Sequence, residues 1–172
     1  MEKEYALLRL NDEQLKLTEA AWKNDSEELF YAMNYDAVFD AIKFHLVKES
    51  NGSSHESLYF GLAESKNSPA KAIVELVTTP KIGLAKLLNI TLPIAYLDSE
   101  QGEDFREIAA IYLRIILGCV KFSADNDVTM KLYGRSSEFL SILRVTYNTL
   151  KEKHEKEFKK IELDGRWLTL QL

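Results

Sequence analysis

The stretch SLYFGLAESKNSPAKAIVELVTT, Ser57 to Thr79, decides how the rest of this chain is read. Two short runs rich in Leu, Ile, Val, Tyr and Phe flank the turn residues KNSP. So close a spacing predicts a β-hairpin. The second arm, Ala70 to Thr79, follows the two-residue period of a strand, with Ile73, Glu75 and Val77 on one face and Ala72, Val74 and Leu76 on the other.

Upstream of the hairpin, Tyr5 to Leu10 reads as a strand, and Asn11 can cap a following helix with Gln14 at the capping-box position. Asp25, followed three residues later by Glu28, marks a second helix start. Leu29 to Val47 then has helical spacing with a break near Asn34, and Met33, Ala37, Val38, Ala41 and His45 can share a face. The small polar run SNGSSHES is a turn or loop.

Downstream, a third strand is expected within Leu87 to Leu97, where Pro93 removes a ladder donor and signals a bulge or an edge. The acidic segment DSEQGED leads into an apolar helix, Phe105 to Val120. SADND reads as a loop and VTMKLYG as a strand. Ser136 can cap a helix carrying Phe139, Leu143, Thr146 and Leu150, and KKIELDGRWLTLQL closes as a hairpin around Asp164 and Gly165. The predicted order is strand, two helices, three strands, helix, strand, helix, hairpin. It describes one α/β domain over residues 1–172, with a largely antiparallel mixed sheet and flanking helices.

Composition narrows the function classes. The 172 residues suffice for one domain with its own core. A net charge of -5, from 22 basic and 27 acidic residues, gives nucleic acid no general attraction. The most apolar helix candidate is interrupted by Arg114 and is shorter than the roughly 20 residues of a membrane span. The acidic start MEKEYALLRL lacks a secretory pattern, so an intracellular, cytoplasmic setting without membrane insertion is expected. The single Cys119 sits in the apolar run IILGCV and reads as a buried thiol. His45, His55 and His154 are far apart, and without a paired-ligand motif they predict no metal site. In KEKHEKEFKK, Glu152 with Lys156 and Glu155 with Lys159 have the spacing of helical ion pairs. Tyr59, Phe60, Tyr133 and Trp167 either pack in the core or form an aromatic recognition surface.

The order of elements resembles the GCN5-related N-acetyltransferase (GNAT) fold over nearly the whole chain, Tyr5 to Leu172. The resemblance implies an acetyl-coenzyme A site where the fourth strand splays from the fifth, with the pyrophosphate at the start of the central helix. The matching region is LDSEQGEDFRE, in which Gln101, Gly102 and Arg106 are the implied cofactor-binding residues. It departs from the family's basic, glycine-spaced loop, because Asp98, Glu100, Glu103 and Asp104 surround the place where phosphates would lie. Carboxylates about 4 Å from a phosphate charge oppose it by about 4 kcal/mol each at an effective permittivity of 20. If the chain is an enzyme, the resemblance implies Glu75 as general base and Tyr147 as general acid.

Two functions follow. The acidic helix entrance favours a noncatalytic protein-interaction module without a cofactor, whose protein partner meets the KEKHEKEFKK face around Lys156 and Lys160 or a sheet edge. The alternative is a divergent acetyl-coenzyme A-dependent N-acetyltransferase acting on a small amine or a protein. A homo-oligomer is compatible with either, although no coiled-coil heptad specifies one.

Overall fold

The computed structural model describes residues 4–50, 56–96 and 102–172. Strand β1 (Ala6–Arg9) is followed by helices α1 (Asp12–Asp25), α2 (Glu27–Ala32) and α3 (Tyr35–Ser50). Strands β2 (Ser57–Ala63), β3 (Ala72–Thr79) and β4 (Leu84–Thr91) come next. Helix α4 (Gly102–Asn126), strand β5 (Thr129–Tyr133), helix α5 (Ser137–Lys153) and strands β6 (Lys160–Asp164) and β7 (Trp167–Gln171) complete the chain.

The seven strands form one sheet in the order β1-β2-β3-β4-β5-β7-β6. Neighbours pair antiparallel except β4 and β5, which run parallel. A parallel pair needs a crossover, and α4 provides it. Each face of the sheet has its own core. On one, Ala72, Val74 and Leu76 of β3 pack with Ile111, Ile115, Cys119 and Leu143 of α4 and α5. On the other, Ile73 packs with Leu15, Trp22, Phe30, Phe39 and Ile42 of α1 to α3. The alternation in AKAIVELVTT has this cause, because both faces of β3 are covered by helices.

Local signals account for most helix ends. Asn11 accepts a bond from the Gln14 N–H at 2.7 Å, and Ser136 accepts one from the Phe139 N–H at 3.1 Å. Asn34 sits in the left-handed region at φ 57 and separates α2 from α3, at the predicted break. The second helix start is capped by Ser26, which accepts from the Leu29 N–H, rather than by Asp25. Gln14 does not close a capping box. Its buried amide reaches the β2–β3 turn and donates to the Ser65 and Ser68 carbonyls at 3.0 and 3.2 Å.

Several expectations need correction. The strand placed within Leu87 to Leu97 begins at Leu84 and ends before Pro93, which leads instead into a 3-10 turn. Helix α4 continues through SADND to Asn126, because Phe122 and Ser123 still face packed neighbours and Asp127 takes the left-handed turn conformation. The last hairpin turns on Gly165 and Arg166, one residue later than read, since Asp164 pairs with Trp167. Helix α5 stops at Lys153, so the expected pairs of Glu152 with Lys156 and Glu155 with Lys159 lose their helical geometry; Glu155 bonds Lys151 at 2.9 Å instead. Phe60 is buried in the core, whereas Trp167 is half-buried outside both core clusters with its ring tilted against Tyr133 at 4.8 Å. No helix is long and apolar enough to cross a membrane among the described residues.

Candidate functional site

The site begins where β4 and β5 part. Their parallel register runs from Leu84 opposite Thr129 to Leu87 opposite Leu132 and ends there, although β4 continues to Thr91. On its other edge β4 stays paired with β3, but the register slips by one residue between Glu75 opposite Asn89 and Leu76 opposite Leu87. The extra residue is Leu88. Such a bulge bends its strand and increases its twist, which turns β4 away from β5 at this point.

The parting leaves a cleft of about 450 Å³ lined from both faces of the sheet. Val38, Ala41 and Ile42 of α3, with Tyr59, Ile73 and Glu75, line it on one side. Tyr112 of α4 and Phe139 of α5 line it on the other, with Leu87 to Thr91 of β4 along one wall and Tyr133, Arg135 and Ser136 along the opposite one. Val38 and Ala41 are exposed on the free face of α3, whereas Tyr35, Phe39 and Ile42 hold the core. The face read as Met33, Ala37, Val38, Ala41 and His45 therefore looks partly into the cleft.

Three strands converge on Glu75. Ser57 of β2 donates its hydroxyl to Glu75 Oε1 at 3.1 Å, and Asn89 of β4 donates Nδ2 to Oε2 at 2.6 Å. Across the gap, Arg135 Nη1 donates to Asn89 Oδ1 at 2.7 Å. A guanidinium can only donate, so it fixes which end of the amide faces Glu75. Burial, followed by the charge and hydrogen bonding of Glu75, pushes the Tyr59 hydroxyl up to about 12, so this phenol remains a donor at neutral pH. Burial likewise raises Tyr112 above the ordinary phenol range.

The surrounding fold holds this arrangement in place. Trp22 of α1 donates Nε1 to the Ala70 carbonyl at 2.9 Å, and Thr18 Oγ1 accepts from the Ala70 N–H at 2.9 Å, which fixes the entry to β3. On the far side, Arg166 donates to the Gly134 and Arg135 carbonyls at 2.7 and 2.8 Å. Gly134 lets α5 come close, because a Cβ there would meet Leu140 at 2.9 Å.

Glu75 is thus the sequence candidate that the structure puts in the cleft. Tyr147 lies half-buried against the main core on α5 and does not line it. The phenols that do are Tyr59, Tyr112 and Tyr133. Gln101 lies outside the described residues, Gly102 is the first residue of α4, and Arg106 is exposed on that helix away from the cleft. Of the acids at the helix entrance, Asp98 and Glu100 lie outside the described residues. Glu107, just inside α4, bonds Lys71 at 2.7 Å and the Tyr96 hydroxyl at 2.6 Å, and those two contacts lower its pKa. Sequence reasoning missed Asn89 and Arg135. The signal for Asn89 was a lone amide in LLNITL on the strand after the hairpin; Arg135 had none, because only the parting of β4 and β5 brings it near.

The parallel β4–β5 junction, the crossover by α4 and the two-sided helix packing complete the arrangement that the order of elements implied. The chain has a GNAT-like fold. Among solved structures, it is similar to the PaiA N-acetyltransferase of Thermoplasma acidophilum in complex with coenzyme A, at 14% identity over 97% of each chain and a TM-score of 0.44. It is also similar to the N-acetyltransferase PseH of Campylobacter jejuni in complex with acetyl coenzyme A, at 14% identity over 98% of each chain and a TM-score of 0.41. Tetrahymena GCN5 matches at 10% identity over 98% of this chain and 94% of that one, with a TM-score of 0.34. No family model and no curated protein matches the sequence.

Proposed function

We propose that this chain is an acetyl-coenzyme A-dependent N-acetyltransferase, the alternative that the sequence left open, rather than a noncatalytic module without a cofactor. The observation that carries the proposal is a carboxylate, Glu75, held by neutral donors in a cleft lined from both faces of the sheet where β4 leaves β5. A transfer between two substrates requires each to reach a shared point from its own side, and such an opening provides the two approaches.

The residues suit the acyl donor. Beyond Leu87 the β5-facing edge of β4 has no strand partner, so its backbone groups are free to bond an extended amide-bearing chain. Tyr112, Ser136 and Phe139 would hold that chain from the α4–α5 side. Bound acetyl-coenzyme A supplies an acetyl thioester, whose carbon–sulfur bond is exchanged for a carbon–nitrogen bond as the thiol leaves. Glu75 takes the proton that the acceptor amine must lose, at an oxygen lone pair not used by Ser57, Asn89 or Tyr59. Tyr112 lies on the opposite face, protonated and able to donate.

Titration calorimetry of the purified protein with acetyl-coenzyme A and coenzyme A tests the reading. Saturable binding, together with acetyl transfer to an amine that Glu75→Gln suppresses, is expected. No heat of binding at millimolar ligand overturns it.

A further inference from the structure

The cleft contains one acid and one base among its described lining residues, Glu75 and Arg135, in an otherwise apolar and neutral wall. They sit one amide group apart. Glu75 accepts from one end of the Asn89 side chain, and Arg135 donates to the other. Arg135 is exposed at the lip of the cleft and spends one of a guanidinium's five N–H donors on Asn89. No carboxylate among the described residues forms an ion pair with it, so a cation with unused donors faces the opening. Glu75 likewise meets Ser57, Asn89 and the Tyr59 hydroxyl, three donors against the roughly four acceptor sites a carboxylate offers, so acceptor capacity remains for a substrate.

From this geometry we infer that the acceptor is a free α-amino acid with an apolar side chain, its ammonium on Glu75 and its carboxylate on Arg135. The inference rests on the acetyltransferase reading and specifies its substrate class. The Asn89 amide spans the two poles through nitrogen, carbon and oxygen. An α-amino acid presents the run nitrogen, carbon, carbon, oxygen, only one atom longer, so it can lie alongside the amide and meet both charges. Val38, Ala41, Ile42 and Ile73 line the Glu75 side of the cleft and suit an aliphatic or aromatic side chain. A polyamine needs several carboxylates where this lining has one. A phosphorylated amine needs more than one cation, and an amino sugar needs a polar wall.

Calorimetry on the intact protein with four probes tests this assignment: L-phenylalanine, L-phenylalaninamide, phenethylamine and a peptide with an amino-terminal phenylalanine. L-phenylalanine is expected to bind roughly ten- to hundredfold more tightly than the three probes without an α-carboxylate, the worth of one charge-assisted contact. Arg135→Met should erase that preference while leaving phenethylamine binding in place, and Arg135→Lys should restore part of it. The melting transition of each variant verifies folding. Equal or tighter binding of the amide or the peptide overturns the inference, as does undiminished discrimination in Arg135→Met or no saturable binding of L-phenylalanine. Acetyl-coenzyme A titrated separately distinguishes the two failures. If it binds without a preference for free amino acids, only the substrate assignment falls. If the Arg135-dependent preference appears without acetyl-coenzyme A binding, the amino-acid site stands and the acetyltransferase reading falls.

Discussion

Asn89 donates its side-chain amide to Glu75 at 2.6 Å at the residue pair where the β3–β4 ladder slips register. The bulge therefore does two things at once. It bends β4 away from β5, opening the cleft, and it leaves a rigid donor beside the carboxylate that faces the opening. The next link, Arg135, comes from beyond β5, so the two walls of the cleft are joined through one amide.

Glu75→Gln should keep the fold, since an amide carbonyl can still accept from Ser57 or Asn89, but it removes the only carboxylate in the described cleft lining. Acetyl transfer is expected to fall by about a hundredfold to ten-thousandfold, the usual worth of a positioned base. Steady-state rates, with circular dichroism as the control for folding, measure it.

Tyr59 makes folding sensitive to alkaline pH. Its hydroxyl, near 10 in the unfolded chain, is pushed up to about 12 in the folded one by burial and by Glu75. A raised folded value means that the native state holds the proton longer. This contribution is therefore complete below pH 10 and is lost as pH rises from about 10 toward about 12. Denaturation midpoints measured across that range should decline less steeply in Tyr59→Phe than in the parent.

Gly118 of α4 lies against β1, and a Cβ at this position would meet the Leu7 Cβ at 2.6 Å. In a helix interior, alanine normally gains about 1 kcal/mol over glycine. Here the overlap is with the base of a side chain, which cannot swing aside, so overpacking of about 1–3 kcal/mol is expected to win. Gly118→Ala should lower the urea midpoint with the slope unchanged.

Cys119 is fully buried in the α4 core, and its thiol is pushed up to about 12 by loss of solvent. Thiolate is the reactive form, so a disulfide reagent at neutral pH should modify the folded chain only as fast as it opens. Full reactivity should appear in denaturant. Rapid stoichiometric labelling of the native protein would contradict this placement.

The fold was legible because its signals are local. Alternation in AKAIVELVTT, the Asn11 and Ser136 caps and the break at Asn34 each depend on a few neighbouring residues, and each appears where those residues predicted it. Element ends were less legible. Whether a helix continues through SADND or a strand starts before Leu87 depends on what packs against it, and this information lies elsewhere in the chain.

By itself, then, the sequence determined the elements, their order and the two apolar faces of β3, because backbone periodicity and capping are short-range effects. Only the tertiary structure decided that Val38 and Ala41 face a cleft rather than a core. Periodicity shows which residues of a helix share a side, but not what covers that side. Tertiary structure also assembled Ser57, Glu75, Asn89 and Arg135, which come from three strands and the segment after a fourth. Their chemistry arises from contact across strands, and that contact is set by a one-residue bulge and a parallel register that ends at Leu87.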